Sequence, residues 1–328
     1  MLKLFRTNTV MQLAIIVATV ALLWTKAIIN PVAMPEVDGY APLYSLIYGW
    51  LAAAPRAAVV IALVIVVVSA ILFNYILTDV QLVSNNTLLP AEMYIVAMSV
   101  CPHGLTLTPM VLVGFILVIS SNQLMLRSTL LTIPPEKTFG VMALVGVCTM
   151  IYVPALSLVA SFLLVVIIYR LYNWRDWTVM ALGFLAPYIL LATYLFVTDG
   201  LAEAWNELTV EVGRFGLRVS PVSLQGALAN GYLILLLVVA LFGAIGIVNE
   251  RTVVIQKNAI AISLLMLAGA IMLCYSQVFP LDMQLMALPF SLQATLFLQN
   301  MEHSKRPWIW DVVLALAIAA AFVYNIVT

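Results

Sequence analysis

The chain has 328 residues, of which 65% are hydrophobic and 9% are charged, and its 14 basic and 14 acidic residues give a formal net charge of zero. A soluble domain keeps roughly a quarter of its residues charged because its surface must face water. This composition excludes a water-exposed globule, and the neutral balance provides no basic surface for nucleic acid. We therefore predict an all-α polytopic transmembrane helix bundle that forms one integral membrane domain over residues 1–328.

A membrane-crossing helix needs about 20 apolar residues, or fewer where it is enclosed in a bundle. Eleven segments qualify in chain order: 10–30, 57–78, 91–101, 108–126, 138–153, 155–171, 177–198, 231–248, 259–276, 283–300 and 309–327. We therefore predict about ten or eleven spans. The third segment is short, and the pattern leaves open whether residues 91–101 span or re-enter. The fifth and sixth segments meet at Pro154 with almost no loop. Such short, proline-broken helices survive at membrane depth only where protein or water satisfies the freed backbone groups, so residues 90–160 are predicted to be a tight cluster of half-length helices.

The basic residues are distributed unequally between the two sides of the predicted bundle. If all eleven segments cross, ten of the 14 basic residues share the side of the N-terminus. The other side holds Lys26, Arg56, Arg214 and Arg218. Loops on the cytoplasmic side carry the excess of Lys and Arg, so the N-terminus is predicted to be cytoplasmic and the C-terminus to be outside.

The second long outer segment contains a regular stripe of charge. Three glutamates recur every four residues and two arginines continue the same helical face: Glu203, Glu207, Glu211, Arg214 and Arg218. With apolar residues off the stripe, this pattern predicts an amphipathic helix near 200–218 at the outer interface. One interpretation is an interfacial helix held by internal Glu–Arg pairs. The other is a site where Arg214 and Arg218 bind a diphosphate through their planar forks while Glu211 acts as a base.

Two further candidates lie on the same predicted side. Glu36 and Asp38 stand two residues apart in the first outer loop, where they would bind a divalent metal or supply a catalytic base. The alternative is a solvated turn, since Asp-Gly is itself a turn signal. His103 interrupts the third segment near the outer face, as a hydrogen-bonded structural residue or as part of the site. No cofactor and no other metal site is predicted.

Two acids flank the predicted turn that precedes the third segment. Acidic residues inside a membrane mark functional sites by default. Asp79 and Glu92 lie close to predicted span ends, however, so both are predicted to be in contact with water.

Residues 85–200 carry a resemblance to a known family. The motifs are Asn85-Asn86-Thr87-Leu88-Leu89-Pro90, Ser121-Asn122-Gln123-Leu124 before Arg127, Glu136-Lys137-Thr138-Phe139, Tyr152-Val153-Pro154 and Tyr172-Asn173-Trp174-Arg175-Asp176-Trp177. They resemble multi-pass inner-membrane proteins of Bacteroidota that are classed as a domain of unknown function. The layout is also distantly similar to C-superfold polyprenyl-linked glycosyltransferases and to polysaccharide polymerases.

The resemblance implies a location in the bacterial inner membrane and a role in envelope glycan assembly at its outer face. In that role the substrate is a polyprenyl-diphosphate sugar, the catalytic residues are Glu36, Asp38 and Glu211, and the substrate-binding residues are Arg214, Arg218 and His103. The partners are membrane lipid, the lipid-linked glycan and proteins of an inner-membrane complex. Two alternatives stay open: a non-catalytic subunit of a larger assembly, such as secretion or envelope machinery, and a transporter.

Overall fold

The computed structural model describes residues 9–36, 41–84, 87–99, 105–125, 134–169, 173–213, 252–275 and 283–301. In these ranges the regular structure is helical and contains no strand, so the all-α prediction is confirmed. The α-helices are α1 Thr9–Ile29, α2 Pro42–Leu51, α3 Pro55–Asp79, α4 Leu89–Ser99, α5 Pro109–Leu124, α6 Pro135–Ile151, α7 Ser157–Ile168, α8 Trp174–Val197, α9 Leu201–Gly213, α10 Val253–Tyr275 and α11 Ala287–Met301. Single turns of 3₁₀-helix, Val153–Leu156 and Met283–Met286, precede α7 and α11.

Three of the described helices are long and apolar enough to cross a membrane. They are α1, α3 and α8, which the sequence predicts as the first, second and seventh segments. The predicted segments 231–248 and 309–327 lie outside the described residues. Four shorter helices, α4 to α7, occupy residues 89–168, with lengths from 11 to 17 residues. The predicted half-length helices are therefore present, but they do not form one tight cluster, because α4 packs mainly against α11 and α3, and α7 packs mainly against α10.

Proline sets where several of these helices begin. Pro42, Pro55, Pro109 and Pro135 are the first residues of α2, α3, α5 and α6. The first helical position suits proline because its fixed φ matches the helix and the N–H it lacks would have no partner there. Pro154 lies inside the 3₁₀ turn between α6 and α7, and only Tyr152 separates α6 from that turn. The predicted joint without a loop is confirmed.

Helices α3 and α8 end in the same way. The amide of Leu82 donates to the Leu77 carbonyl at 3.0 Å, and the amide of Gly200 donates to the Leu195 carbonyl at 2.9 Å. These are six-residue closures in which the residue before the donor takes a left-handed conformation. Gln81 has φ 59° and Asp199 has φ 55°, so neither position is glycine although both have the conformation that favours it.

The centre of the described bundle is α4. All eleven of its residues are buried, and the helix packs against α1, α3 and α11. A second interface joins α6 to α8 through glycine. A Cβ atom on Gly183 would lie 2.6 Å from the Phe139 carbonyl oxygen, and one on Gly146 would lie 2.7 Å from the Phe184 carbonyl oxygen. The α6 and α8 backbones therefore approach as closely as small residues allow, as membrane helices do.

Candidate functional site

The structure describes only part of the predicted site. Glu36 is exposed at the end of the coil that follows α1. Glu211 lies in α9, where the backbone is described but the side chain is not. Asp38, His103, Arg214 and Arg218 lie outside the described residues. Their roles, and the convergence of the arginines with a carboxylate, stay predictions.

The first outer loop is not an open coil, because it contains the helix α2, which the sequence analysis does not predict. Tyr44 on α2 is buried, and its hydroxyl lies 2.8 Å from the Pro35 carbonyl oxygen and 3.3 Å from the Leu107 carbonyl oxygen. Burial raises the pKa of Tyr44, with a smaller contribution from Tyr48, so its hydroxyl stays protonated and able to donate. Tyr44 thereby brings the residue before Glu36 close to the segment that follows His103.

A second polar contact involves Thr108, the residue that follows Leu107 in the chain. The Thr108 hydroxyl donates to Gln284 Oε1 at 2.8 Å and accepts from the Val111 amide at 3.2 Å, so it caps α5 and also ties α5 to the turn before α11. Two nearby polar atoms, Thr106 Oγ1 and Gln284 Nε2, are buried without a hydrogen-bond partner among the described residues. Unsatisfied polar atoms are costly in an apolar interior. This end of the bundle is therefore polar, and part of its hydrogen-bonding capacity is unused.

Helix α9 is amphipathic by position. Glu203 and Glu207 are exposed on one face, and the apolar side chains of Leu201 and Trp205 are exposed on the opposite face. The helix packs against α8. The predicted amphipathic helix is confirmed for residues 201–213, whereas its last predicted turn, which contains the arginines, is outside the described residues.

The structure also corrects the predicted position of Glu92, which the sequence analysis expected to be in contact with water. Glu92 is fully buried in the first turn of α4, and the prediction that it lies in water is wrong. Its Oε1 atom is 2.7 Å from the Thr19 hydroxyl of α1, and its Oε2 atom has no hydrogen-bond partner among the described residues. Asp79 is exposed, and its contact with water stays a prediction.

The burial of Glu92 follows from how α4 begins. The first amides of a helix have no partner within it. Here the Leu88 amide donates to Gln12 Oε1 at 2.8 Å, and the Leu89 amide donates to the Thr87 hydroxyl at 3.2 Å. Gln12, like Thr19, is on α1, so one helix caps the start of the other. The amides of Leu88 and Leu89 are therefore satisfied by protein, and Glu92 is enclosed with them.

No group of three His, Cys, Asp or Glu side chains that would hold a metal ion is found in the part of the chain that the structure describes. The predicted pair Glu36 and Asp38 is only half described, so a divalent metal there stays a prediction.

Comparison of the chain with protein-family models, with curated proteins and with solved structures finds no match. The described residues define an all-helical protein with three helices able to cross a membrane.

Proposed function

We propose that the chain is a polytopic membrane protein of about ten or eleven spans in the bacterial inner membrane, with a cytoplasmic N-terminus and a periplasmic C-terminus. The three long apolar helices support this proposal. The enclosed helix α4 supports it as well, because an 11-residue helix is about 16 Å long and cannot cross an apolar layer of about 30 Å without surrounding protein.

Contacts between helix ends also support the proposed topology. Four long-range hydrogen bonds near helix ends of the described residues each join two residues that the alternating topology assigns to the same face. At the cytoplasmic face these pairs are Gln12 with Leu88 and Tyr169 with Asn258, and at the outer face they are Tyr44 with Leu107 and Thr108 with Gln284. Because Leu88 and Leu107 belong to opposite ends, we propose that the segment containing α4 crosses rather than re-enters.

Reporter fusions test this topology. We expect a fusion after Arg175 to report the cytoplasm, and fusions after Asn206 and Thr328 to report the outside, in line with the positive-inside rule. The Arg175 fusion is the internal control, because Arg175 is the second residue of α8 and a reporter placed there stays on the side where α8 begins. A cytoplasmic signal at Asn206 would contradict the proposal, since it would move α9 and the arginines that follow it to the other face.

We propose that, within this topology, the protein acts in envelope glycan assembly on a polyprenyl-diphosphate sugar at the outer face. The observation that carries the proposal is the position of the Tyr44 hydroxyl, which lies between the carbonyl oxygens of Pro35 and Leu107 and so brings the loop containing Glu36 close to the segment after His103. A diphosphate at this end of the bundle would be bound by Arg214 and Arg218, whose planar groups donate two parallel hydrogen bonds. Glu36, Asp38 or Glu211 would take the proton of the acceptor hydroxyl.

A panel of variants tests this function in cells at equal protein level. Arg214→Lys and Arg218→Lys keep the positive charge but lose the planar group that donates two parallel hydrogen bonds. Replacement of either arginine by Ala should weaken ligand binding by about 2–5 kcal/mol. We expect the amount of envelope glycan to fall in both Lys variants. Tyr44→Phe removes the hydroxyl that joins the two outer segments, so glycan output should fall there too. Tyr48→Phe, one helical turn away on α2, is the matched control and should leave the glycan unchanged.

A wild-type glycan profile in the double variant with Arg214→Lys and Arg218→Lys would remove the diphosphate site. The second candidate function, a non-catalytic subunit of a larger assembly, would then be favoured over the glycan enzyme. It is favoured by α9, whose exposed Leu201 and Trp205 lie one helical turn apart and form an apolar surface that suits a protein partner. A transporter is favoured by Glu92, because buried acids line proton and ion paths in membranes.

A further inference from the structure

The hydroxyl of Thr19 has two acceptors and one hydrogen. It lies 3.0 Å from the carbonyl oxygen of Ile15, one turn earlier in α1, and 2.7 Å from Glu92 Oε1. A threonine hydroxyl donates one hydrogen bond and accepts others through its lone pairs. If Glu92 is ionised, Thr19 cannot donate to the carboxylate and to Ile15 at the same time. If Glu92 carries a proton on Oε1, the acid donates to Thr19 and Thr19 donates to Ile15, so both short contacts are hydrogen bonds.

The surroundings of Glu92 provide no compensating charge among the described residues. The helices that pack most closely against α4 are α1, α3 and α11. Helix α5 also contacts it, since Gly114 lies beside Tyr94 and Met98, and α5 has no charged or titratable side chain. The described charged side chains of α1, α3 and α11 are Lys26 on α1 and Arg56 and Asp79 on α3, and all three are exposed. Tyr75 on α3 is exposed as well, and the described part of α11 contains no titratable residue. An ionised carboxylate enclosed by apolar helices with a single hydroxyl donor costs far more than a neutral acid.

We propose that Glu92 is a proton-binding site in the core of the bundle, which holds a proton between α4 and α1 when the protein is at rest. This inference does not depend on the glycan proposal. The bound proton forms the Oε1–H bond and is donated toward Thr19 Oγ1. When the proton leaves to water, the Thr19 hydroxyl turns to donate its hydrogen bond to the Glu92 carboxylate. The Ile15 carbonyl then loses the hydrogen bond that it accepted from Thr19. The contact between α1 and α4 therefore exists in two hydrogen-bonding arrangements that differ by one proton.

Infrared difference spectroscopy of the full chain in detergent tests the site directly. At neutral pH we expect wild type minus Glu92→Gln to show one carboxylic-acid C=O stretching band, which shifts in D₂O. Glutamine has the same shape, and its amide donates to Thr19, so the variant is expected to fold. Glu203→Gln, on the exposed face of α9, is the matched control and should remove carboxylate bands only. A Glu92→Gln difference that contains only carboxylate bands would overturn the proposal.

A second variant keeps the test decisive if Glu92→Gln does not fold. Thr19→Val removes the acceptor of the acid proton while the carboxyl remains. We expect the carboxylic-acid band to move to higher frequency, as a C=O stretch does when the acid donates a weaker hydrogen bond. A band that is absent from wild type, or that Thr19→Val leaves in place, would contradict the arrangement.

Thermal unfolding gives an independent readout. A proton that the folded state holds and the unfolded state releases makes the folded state less stable as pH rises. We expect the Tm of wild type to fall more steeply between pH 6 and pH 9 than the Tm of Glu92→Gln, with Glu203→Gln following wild type. Parallel curves for wild type and Glu92→Gln would overturn the proposal.

Discussion

Helices α4 and α8 are both apolar, yet they have opposite environments. All eleven residues of α4 are buried, whereas only Met180 and Gly183 are buried among the 24 residues of α8. Length explains the difference. Helix α8 is about 36 Å long, enough to cross an apolar layer of about 30 Å by itself, whereas α4 is about 16 Å long and needs protein around it. An acid is tolerated in α4 for a related reason, because the neighbouring helix α1 supplies the Thr19 hydroxyl, whereas lipid would supply no hydrogen-bond partner.

The comparison predicts different costs for the same substitution in the two helices. Ile95 on α4 is 1% exposed and Ile189 on α8 is 57% exposed. Ile95→Ala leaves a cavity inside the bundle and should destabilise the protein by about 2 kcal/mol or more. Ile189→Ala exchanges one exposed apolar group for a smaller one. If that side of α8 faces lipid, as the proposed topology requires, the change should cost less than about 1 kcal/mol, since lipid is as apolar as the side chain. Unfolding of the two purified variants by SDS in mixed micelles measures both changes. Equal costs would show that α8 is also enclosed.

A substitution with a smaller expected effect tests the close contact between α8 and α6 at Gly183. Gly183→Ala places a Cβ atom 2.6 Å from the backbone oxygen of Phe139, which cannot move without displacing α6. We expect a loss of about 1–3 kcal/mol, as for an overpacked core. Gly49→Ala on α2 is the matched control, because a Cβ atom there has no neighbour within 4 Å. It should be neutral or stabilise α2 by about 0.5–1 kcal/mol. If both variants unfold alike in the same SDS titration, the close approach of α6 and α8 is not what holds α8.

The sequence predicts the elements that depend on local pattern. The long apolar segments of α1, α3 and α8, the joint at Pro154 and the amphipathic α9 all follow from composition, length and the position of proline. The short helix α2 does not, because ten residues with aromatic side chains carry no periodic signal that separates a helix from a loop. The burial of Glu92 does not either, since it depends on Gln12 and Thr19, which are more than 70 residues away in the chain.

The candidate site was predictable in part for a related reason. The acidic first loop and the charge stripe are visible in the sequence because they interrupt apolar runs. That Tyr44 joins this loop to Leu107 is a tertiary contact over 63 residues, and no local pattern encodes it. Likewise the capping of α5 by Thr108 follows from its position before Pro109, but its bond to Gln284 does not.

The bond between Thr108 and Gln284 has a consequence for how the chain is made. The two residues are 176 positions apart, and α4 next to them packs against α11, the last described helix. At about 5–20 residues per second, a ribosome needs on the order of 10–35 s to synthesise the intervening chain. During that interval α4 has been translated, but α11, one of the helices that packs against it, has not. Helix α4 is too short to insert alone, and it has an acid in its first turn. Until α11 is made, α4 must therefore stay packed beside α1 and α3 or be held by the insertion machinery. The centre of this bundle is therefore among its earliest parts to be synthesised and among its last to be completed.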